Sequence, residues 1–239
     1  MCEDCGCGDT KLVSLDVHES LLAGNDRTAA HTRAHLREDG VVAINIMGSP
    51  GAGKTALLEA TAGALAGTRR IAAITGDLAT ERDAERVRAA GVPSKAITTG
   101  SACHLDAEMV HHALHDGIAE GVDYLFIENV GNLVCPAVYD LGQEANVVVI
   151  SVTEGEDKPL KYPVMFRKAD LVVLSKTDLL PALPDFDRAA LEEALAHVMP
   201  NPRMLAVSAR TGAGIEKWIN WLEQMRETER PQTAHAHAR

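Results

Sequence analysis

The chain has 239 residues, enough for one large α/β domain with short extensions, and 46% of them are hydrophobic, as in an ordinary folded protein. The formal net charge of −11 and the lack of any Lys/Arg run argue against nucleic acid as a partner. No apolar run has the length of a membrane span, and the first residues lack both the basic and the apolar parts of a signal peptide, so a cytoplasmic location is expected.

Aromatic residues make up only 3%, so the core must be built mainly from Val, Ile, Leu and Ala. There are five cysteines, three of them within the first seven residues. In a reducing compartment that pattern points to metal or redox chemistry rather than a disulfide framework. Cys2, Cys5 and Cys7 lie in Cys-Glu-Asp-Cys-Gly-Cys, with two carboxylates among three thiols. Soft thiolates favour Ni, Cu(I), Zn or an iron–sulfur cluster over hard cations. A redox C-x-x-C and a terminus with idle thiols are the other readings.

Residues 17–37 have helical spacing, with Asn25 and Asp26 as candidate breaks. His31 and His35 share a face there and read as solvated. Asp39-Gly40 closes the segment. This divides the chain into an N-terminal Cys-motif segment with a helical extension (1–39), a nucleotide domain (40–227) and a polar tail (228–239) holding His235 and His237.

The nucleotide domain opens on an apolar strand over 41–47, followed by Gly48-Ser-Pro-Gly-Ala-Gly-Lys-Thr55 and then a helical run. The octapeptide fits G-x-x-x-x-G-K-S/T, the phosphate-binding loop, and the strand–loop–helix context supports it over a glycine-rich turn that binds nothing. Gly48, Ser49, Gly51, Ala52 and Gly53 supply backbone able to curl around phosphate oxygens. Lys54 supplies a point charge for the β- and γ-phosphates, and Thr55 a hydroxyl for Mg²⁺.

Beyond the loop, strands are expected over 71–75, 94–98, 124–128, 147–153, 171–175 and 204–207. Helices are expected over 80–90, 106–120, 187–198 and 214–227. This alternation predicts an α/β fold with a mostly parallel sheet and helices on both faces. In such folds the polar punctuation at the strand carboxyl ends is where ligands bind. Asp77 stands at one such end, either to reach Mg²⁺ or orient water, or simply as a helix N-terminal acid. Glu128-Asn-Val-Gly131 resembles the D-x-x-G switch of GTPases with Glu in place of Asp. Glu128 would hold Mg²⁺ and Gly131 would sense the γ-phosphate. Ser175-Lys-Thr-Asp178 resembles the N-K-x-D guanine reader, with Lys176 and Asp178 matching. Asp178 would accept from guanine N–H donors that adenine lacks. Ser175 replaces the usual Asn, and its shorter side chain predicts a loop held less firmly. Ser208, Ala209 and Arg210 resemble the accompanying S-A-K element.

Cys103 and His104 lie in the loop before the 106–120 helix, and Cys135 lies four residues beyond Gly131. Thiolate plus imidazole suits Ni²⁺ or Zn²⁺. Three ligands leave a tetrahedral site open, so water or a second subunit must complete it. Two structural cysteines beside an incidental His is the other reading. His111, His112 and His115 read as the polar face of the following helix.

Taken together, Cys2-x-x-Cys-Gly-Cys7, the phosphate loop, Cys103-His104, Glu128-Asn-Val-Gly-Asn-Leu-Val-Cys-Pro136 and Asp157-Lys-Pro-Leu-Lys-Tyr-Pro163 resemble the HypB family of GTPases over most of residues 1–225. The resemblance implies the signal-recognition and MinD-like (SIMIBI) class of P-loop NTPases and a GTP-dependent homodimer. Its implied activity is GTP hydrolysis coupled to Ni²⁺ delivery into the large subunit of [NiFe] hydrogenase, with a HypA-type metallochaperone as partner. It also implies a nickel site at Cys2, Cys5 and Cys7, and a second Ni/Zn site at Cys103, His104 and Cys135. Catalytic roles would fall to Lys54, Asp77 and Glu128. The His-rich run of some relatives is absent here. A urease- or cobalamin-type accessory GTPase, and a nickel buffer with a vestigial nucleotide fold, are the rival readings.

Overall fold

A computed structural model describes residues 10–100 and 102–229. Seven strands form one sheet: β1 (Val42–Met47), β2 (Ile71–Asp77), β3 (Ser94–Thr98), β4 (Tyr124–Glu128), β5 (Ala145–Ser151), β6 (Leu171–Ser175) and β7 (Met204–Ala206). Their order is β3-β2-β4-β1-β5-β6-β7, and every pairing is parallel. Every residue of β1, β4 and β6 is buried, so these strands are covered on both faces and read as unbroken apolar runs. The edge strands β3 and β7 are only partly buried.

Helices α2 (Lys54–Leu65), α3 (Arg82–Ala89) and α8 (Ile215–Glu229) cover one face, where Ile44, Leu57, Phe126, Val149 and Trp218 meet. The indole of Trp218 donates to Thr61 Oγ1 at 2.8 Å, so its one polar atom is satisfied in the core. On the other face, α1 (Thr10–Glu38) and α4 (Ala107–His115) enclose Leu36, Ile74, Leu105, Val110 and Leu125. Beside them α6 (Pro163–Arg167) and α7 (Arg188–Val198) enclose Val148, Phe166, Leu174 and Leu191. The short α5 (Lys158–Lys161) and the 3₁₀ turns at Cys135–Ala137 and Thr177–Ala182 lie in connections at the strand carboxyl ends.

Helix α1 runs on through Asn25 and Asp26, where a break is expected from sequence. The reason is tertiary. Asn25 Nδ2 donates to Asp140 O at 2.8 Å, and its Oδ1 accepts from Ala107 N at 2.8 Å. The amide that competes with an isolated helix here joins α1 to α4 and to the loop after β4. Arg33 clamps Asp140 through two bonds of 2.6 and 2.7 Å, and Arg37 pairs with Glu144. The predicted elements over 80–90 and 106–120 contract to α3 and α4. Asp106 is the N-cap of α4, accepting from Met109 N at 2.8 Å.

Candidate nucleotide and metal sites

The loop from Gly48 to Gly53 links β1 to α2, as the octapeptide predicts. Gly48 has φ 151°, and a Cβ there would come within 2.4 Å of Val149 O, so only glycine fits between the loop and β5. Lys54 is buried and its Nζ donates to the loop's own carbonyls, Gly48 O at 3.4 Å and Ser49 O at 3.3 Å. A cavity of about 450 Å³ opens over the loop, lined by Gly51, Gly53, Lys54, Thr55, Asp77, Asp83, Arg86, Glu128 and Gly131. Lys54, Asp77, Glu128 and Gly131, far apart in sequence, thus share one cavity.

At its floor, Thr55 Oγ1 lies 2.8 Å from Glu128 Oε1 and 2.9 Å from Asp83 Oδ1. The hydroxyl has one proton, so it cannot fully donate to two carboxylates. A protonated Glu128 resolves the conflict by donating to Thr55. Burial pushes the Glu128 carboxyl up to about 7, against the opposing pull of Lys54 and Thr55. Its other oxygen, Oε2, is buried without a hydrogen-bond partner among the described residues. Two carboxylates and a hydroxyl, with one buried oxygen orphaned, form a donor set that fits a hard divalent cation. Asp77 is held below the usual carboxylate range, first by the Ala79 N–H. Its Oδ1 accepts from Ala79 N and Thr80 N, so it caps the turn before α3 while also lining the cavity.

Asp83 and Arg86 are missed by sequence reasoning, because the charged 80–90 segment reads only as a helix. Arg86 forks onto Glu59 at 2.9 and 2.7 Å. Lys158 is also missed. It donates to Ser49 Oγ at 3.2 Å and to Glu154 at 3.1 Å, tying the start of α5 to the phosphate loop. Its signal in the sequence is the Asp157-Lys-Pro-Leu-Lys run, part of the family resemblance.

A second cavity of about 300 Å³ adjoins Gly53 and is lined by Ser175, Lys176, Asp178, Leu179, Ala209 and Arg210. Asp178 accepts from Ser208 Oγ at 2.7 Å and lies 3.5 Å from Arg210. The Ser208 hydroxyl is the main cause holding Asp178 below the usual carboxylate range. Short as it is, Ser175 still reaches the phosphate loop. Ser175 Oγ donates to Ala52 O, because β6 runs close enough to the phosphate loop for a short side chain to span the gap.

Cys103, His104 and Cys135 also converge. Their ligand atoms lie within 4.8 Å of one another, with Sγ–Sγ 2.7 Å and Cys103 Sγ to His104 Nδ1 3.8 Å. All three residues are half-buried. His104 stacks on Tyr139, centroids 3.9 Å apart, and burial lowers its pKa, which favours the neutral, ligating form. The Cys103 sulfur and then burial push the Cys135 thiol up. Two thiols and an imidazole fit a borderline-soft divalent ion, whose charge would expel the thiol protons. Asn129 joins this site to the nucleotide cavity: its Oδ1 accepts from Leu105 N at 3.1 Å, and it directly follows Glu128. Cys2, Cys5 and Cys7 lie outside the described residues, as do His235 and His237.

Fold, loop and paired cavities define a P-loop nucleotide-binding protein. The family model described as CobW/HypB/UreG, nucleotide-binding domain, matches residues 42–205. The chain belongs to the HypB family of hydrogenase maturation factors. It is 50% identical over 216 residues to hydrogenase maturation factor HypB of Azotobacter vinelandii, covering 90% of this chain and 70% of that protein. To HypB of Escherichia coli K12 it is 45% identical over 212 residues, covering 89% and 73%. The crystal structure of HypB from Helicobacter pylori in complex with nickel superposes with a TM-score of 0.81 at 39% identity, covering 88% of this chain and 99% of that one. HypB from Archaeoglobus fulgidus gives 0.78 at 42%, covering 86% and 100%. No helix among the described residues is long and apolar enough to cross a membrane.

Proposed function

We propose that this chain is a GTP-hydrolysing nickel chaperone of the cytoplasm that hands Ni²⁺ toward a hydrogenase large subunit. It acts as a homodimer when GTP is bound, with a HypA-type metallochaperone as partner. Nickel is the cargo, and the GTP cycle is the switch.

In this reading the backbone of Gly48, Ser49, Gly51, Ala52 and Gly53 wraps the phosphates, and Lys54 leaves the Gly48 and Ser49 carbonyls for the β- and γ-phosphate oxygens. Thr55, Glu128 and Asp77 would hold Mg²⁺, with Asp83 beside Thr55 as a further donor. Bound Mg²⁺ supplies neutralisation of the charge that builds on the β–γ bridge and the γ-phosphate oxygens. Water attacks the γ-phosphorus, the bond to the β–γ bridging oxygen breaks, and GDP and phosphate leave. Asp178 accepts from the guanine N–H groups in the second cavity. Lys176 flanks the base, while Ser208, Ala209 and Arg210 support it. Gly131 meets the γ-phosphate.

Cys103, His104 and Cys135 take Ni²⁺ or Zn²⁺, and Cys2, Cys5 and Cys7 form a separate nickel site. One observation carries the reading. A single loop leaves β4 at Glu128, on the floor of the phosphate cavity, and reaches Cys135 seven residues later, against Cys103. A shift of that loop on hydrolysis moves a thiolate ligand. In support, a relative superposing at TM-score 0.81 is described in complex with nickel.

GTP turnover by the full chain, against ATP as control, tests the enzyme half. Measurable GTP hydrolysis that Lys54→Ala removes supports it. Absence of turnover with nickel still bound would leave a nickel buffer on a vestigial nucleotide fold.

A further inference from the structure

At the seam where α1 packs on α4, His31 of α1 meets His111 of α4, and His115 lies one turn further along α4. His111 and His115 stand one turn apart on α4 with their Nε2 atoms 3.1 Å apart. The ring of His31 lies edge-on to His111, centroids 5.4 Å apart. Without an ion, one Nε2–H of the pair donates to the other nitrogen. A first-row ion bound about 2.1 Å from each of two imidazole nitrogens at a right angle needs them about 3.0 Å apart. The spacing present is therefore already that of a bidentate site.

Three further observations favour a cation here. His111 Nδ1 lies 3.4 Å from the hydroxyl of Thr32, a fully buried residue. That contact fixes the ring with Nε2 turned outward, as outer-shell partners do for ligating histidines. His115 is in the last turn of α4, whose free carbonyls make the negative end of the helix dipole. Burial and then the neighbouring histidines lower the His111 pKa, which favours its neutral form. The acids facing the seam are otherwise engaged: Glu108 lies 3.6 Å from His112, and Asp116 is paired with Lys95 at 2.7 Å.

We propose that His111 and His115 form a second inner metal site for a borderline divalent ion such as Ni²⁺ or Zn²⁺, with water completing the coordination. It is distinct from the Cys103–His104–Cys135 site. His104 precedes the N-terminus of α4, and His115 ends that helix, so the two sites flank opposite ends of one element. It does not depend on the nucleotide reading, since no residue of the phosphate cavity takes part.

The test uses the full chain with Cys2, Cys5, Cys7, Cys103 and Cys135 all changed to Ser, its fold verified by circular dichroism. Ni²⁺ alone is titrated calorimetrically at pH 7.5. One remaining site is expected, weakened at least tenfold by His115→Gln, an exposed position, and by His111→Gln. His235→Gln with His237→Gln should leave it unchanged. No remaining binding, or binding that is lost with the tail histidines and not with His115, overturns the proposal. If the five-fold variant does not fold, equilibrium dialysis of the unsubstituted chain decides. His111→Gln with His115→Gln must remove one Ni²⁺ equivalent while the thiolate-to-nickel absorption stays. An unchanged stoichiometry overturns the proposal.

Discussion

Gly48 and Asn132 pair across an isolated antiparallel bridge, so the first residue of the phosphate loop is hydrogen-bonded to the segment that follows β4. Asn132 Oδ1 in turn accepts from Val134 N at 2.8 Å, and Cys135 follows immediately. Gly131, just before it, packs against Pro50 of the phosphate loop. The path from phosphate to thiolate is therefore one short, hydrogen-bonded stretch of backbone, and most predictions concern how it responds.

Gly131→Ala would put a Cβ 2.9 Å from Pro50 Cγ and 3.0 Å from Pro50 N. Backbone cannot yield as a flexible side chain can, so overpacking of about 1–3 kcal/mol is expected. GTP turnover should fall about tenfold or more, with a lowered Tm. Wild-type turnover and stability would show that the two loops do not press on one another.

Cys135→Ala should abolish the inner thiolate site and remove one nickel equivalent, leaving those at the N-terminal cysteines and at His111–His115. Cys103→Ala should do the same, because the two sulfurs share one ion. Nickel counted by equilibrium dialysis distinguishes the cases. Loss of the N-terminal equivalent as well would mean that the two cysteine sites are not independent.

The Glu128 carboxyl, at about 7, lies above its ordinary 4.5. The folded chain therefore keeps a proton that the unfolded chain gives up. The stability this contributes is complete below pH 4.5 and is lost as pH rises through 7. Without metal and nucleotide, the chain should lose on the order of 3 kcal/mol through this group between pH 4.5 and 8. Glu128→Gln should flatten that part of the profile and raise Tm at pH 8, while removing Mg²⁺-dependent turnover. Matching urea-denaturation profiles for the two proteins across that range would contradict the assignment.

Asp178→Ala removes the one carboxylate among the described residues lining the second cavity and leaves Ser208 without its acceptor. The preference for GTP over ATP should fall by about a hundredfold or more in kcat/KM, mostly through loss of GTP affinity. Retained discrimination would place guanine recognition elsewhere.

Much of this was legible where the signal is contiguous. The phosphate loop, the parallel α/β sheet and the cysteine-bearing loops each follow from a run of residues whose chemistry has few other uses. Cys103 and Cys135 both lie in loops that follow strand carboxyl ends, and their sulfurs meet. What sequence did not disclose depends on tertiary contact. Asn25 looks like a helix breaker until Asp140 and Ala107 receive its amide. Asp83 and Arg86 read as residues of a charged helix, until α3 brings Asp83 to Thr55 and both residues to the cavity wall. The bond from Ser175 to Ala52 could not be read from the motif, because the distance from β6 to Ala52 is not encoded there. His111 read as a polar face, and the packing of α1 over α4 made it half-buried.

The central claim is that the nucleotide sets the geometry of the Cys135 ligand, and linkage makes it measurable from either end. The direct measurement is the Ni²⁺ affinity of the Cys103–His104–Cys135 site, in a chain with Cys2, Cys5 and Cys7 changed to Ser, once with GDP and once with a non-hydrolysable GTP analogue. The account predicts affinities that differ by at least about fivefold, the low end of a typical coupling free energy, and a matching change in nucleotide affinity when Ni²⁺ is added. Equal affinities in the two nucleotide states would contradict it.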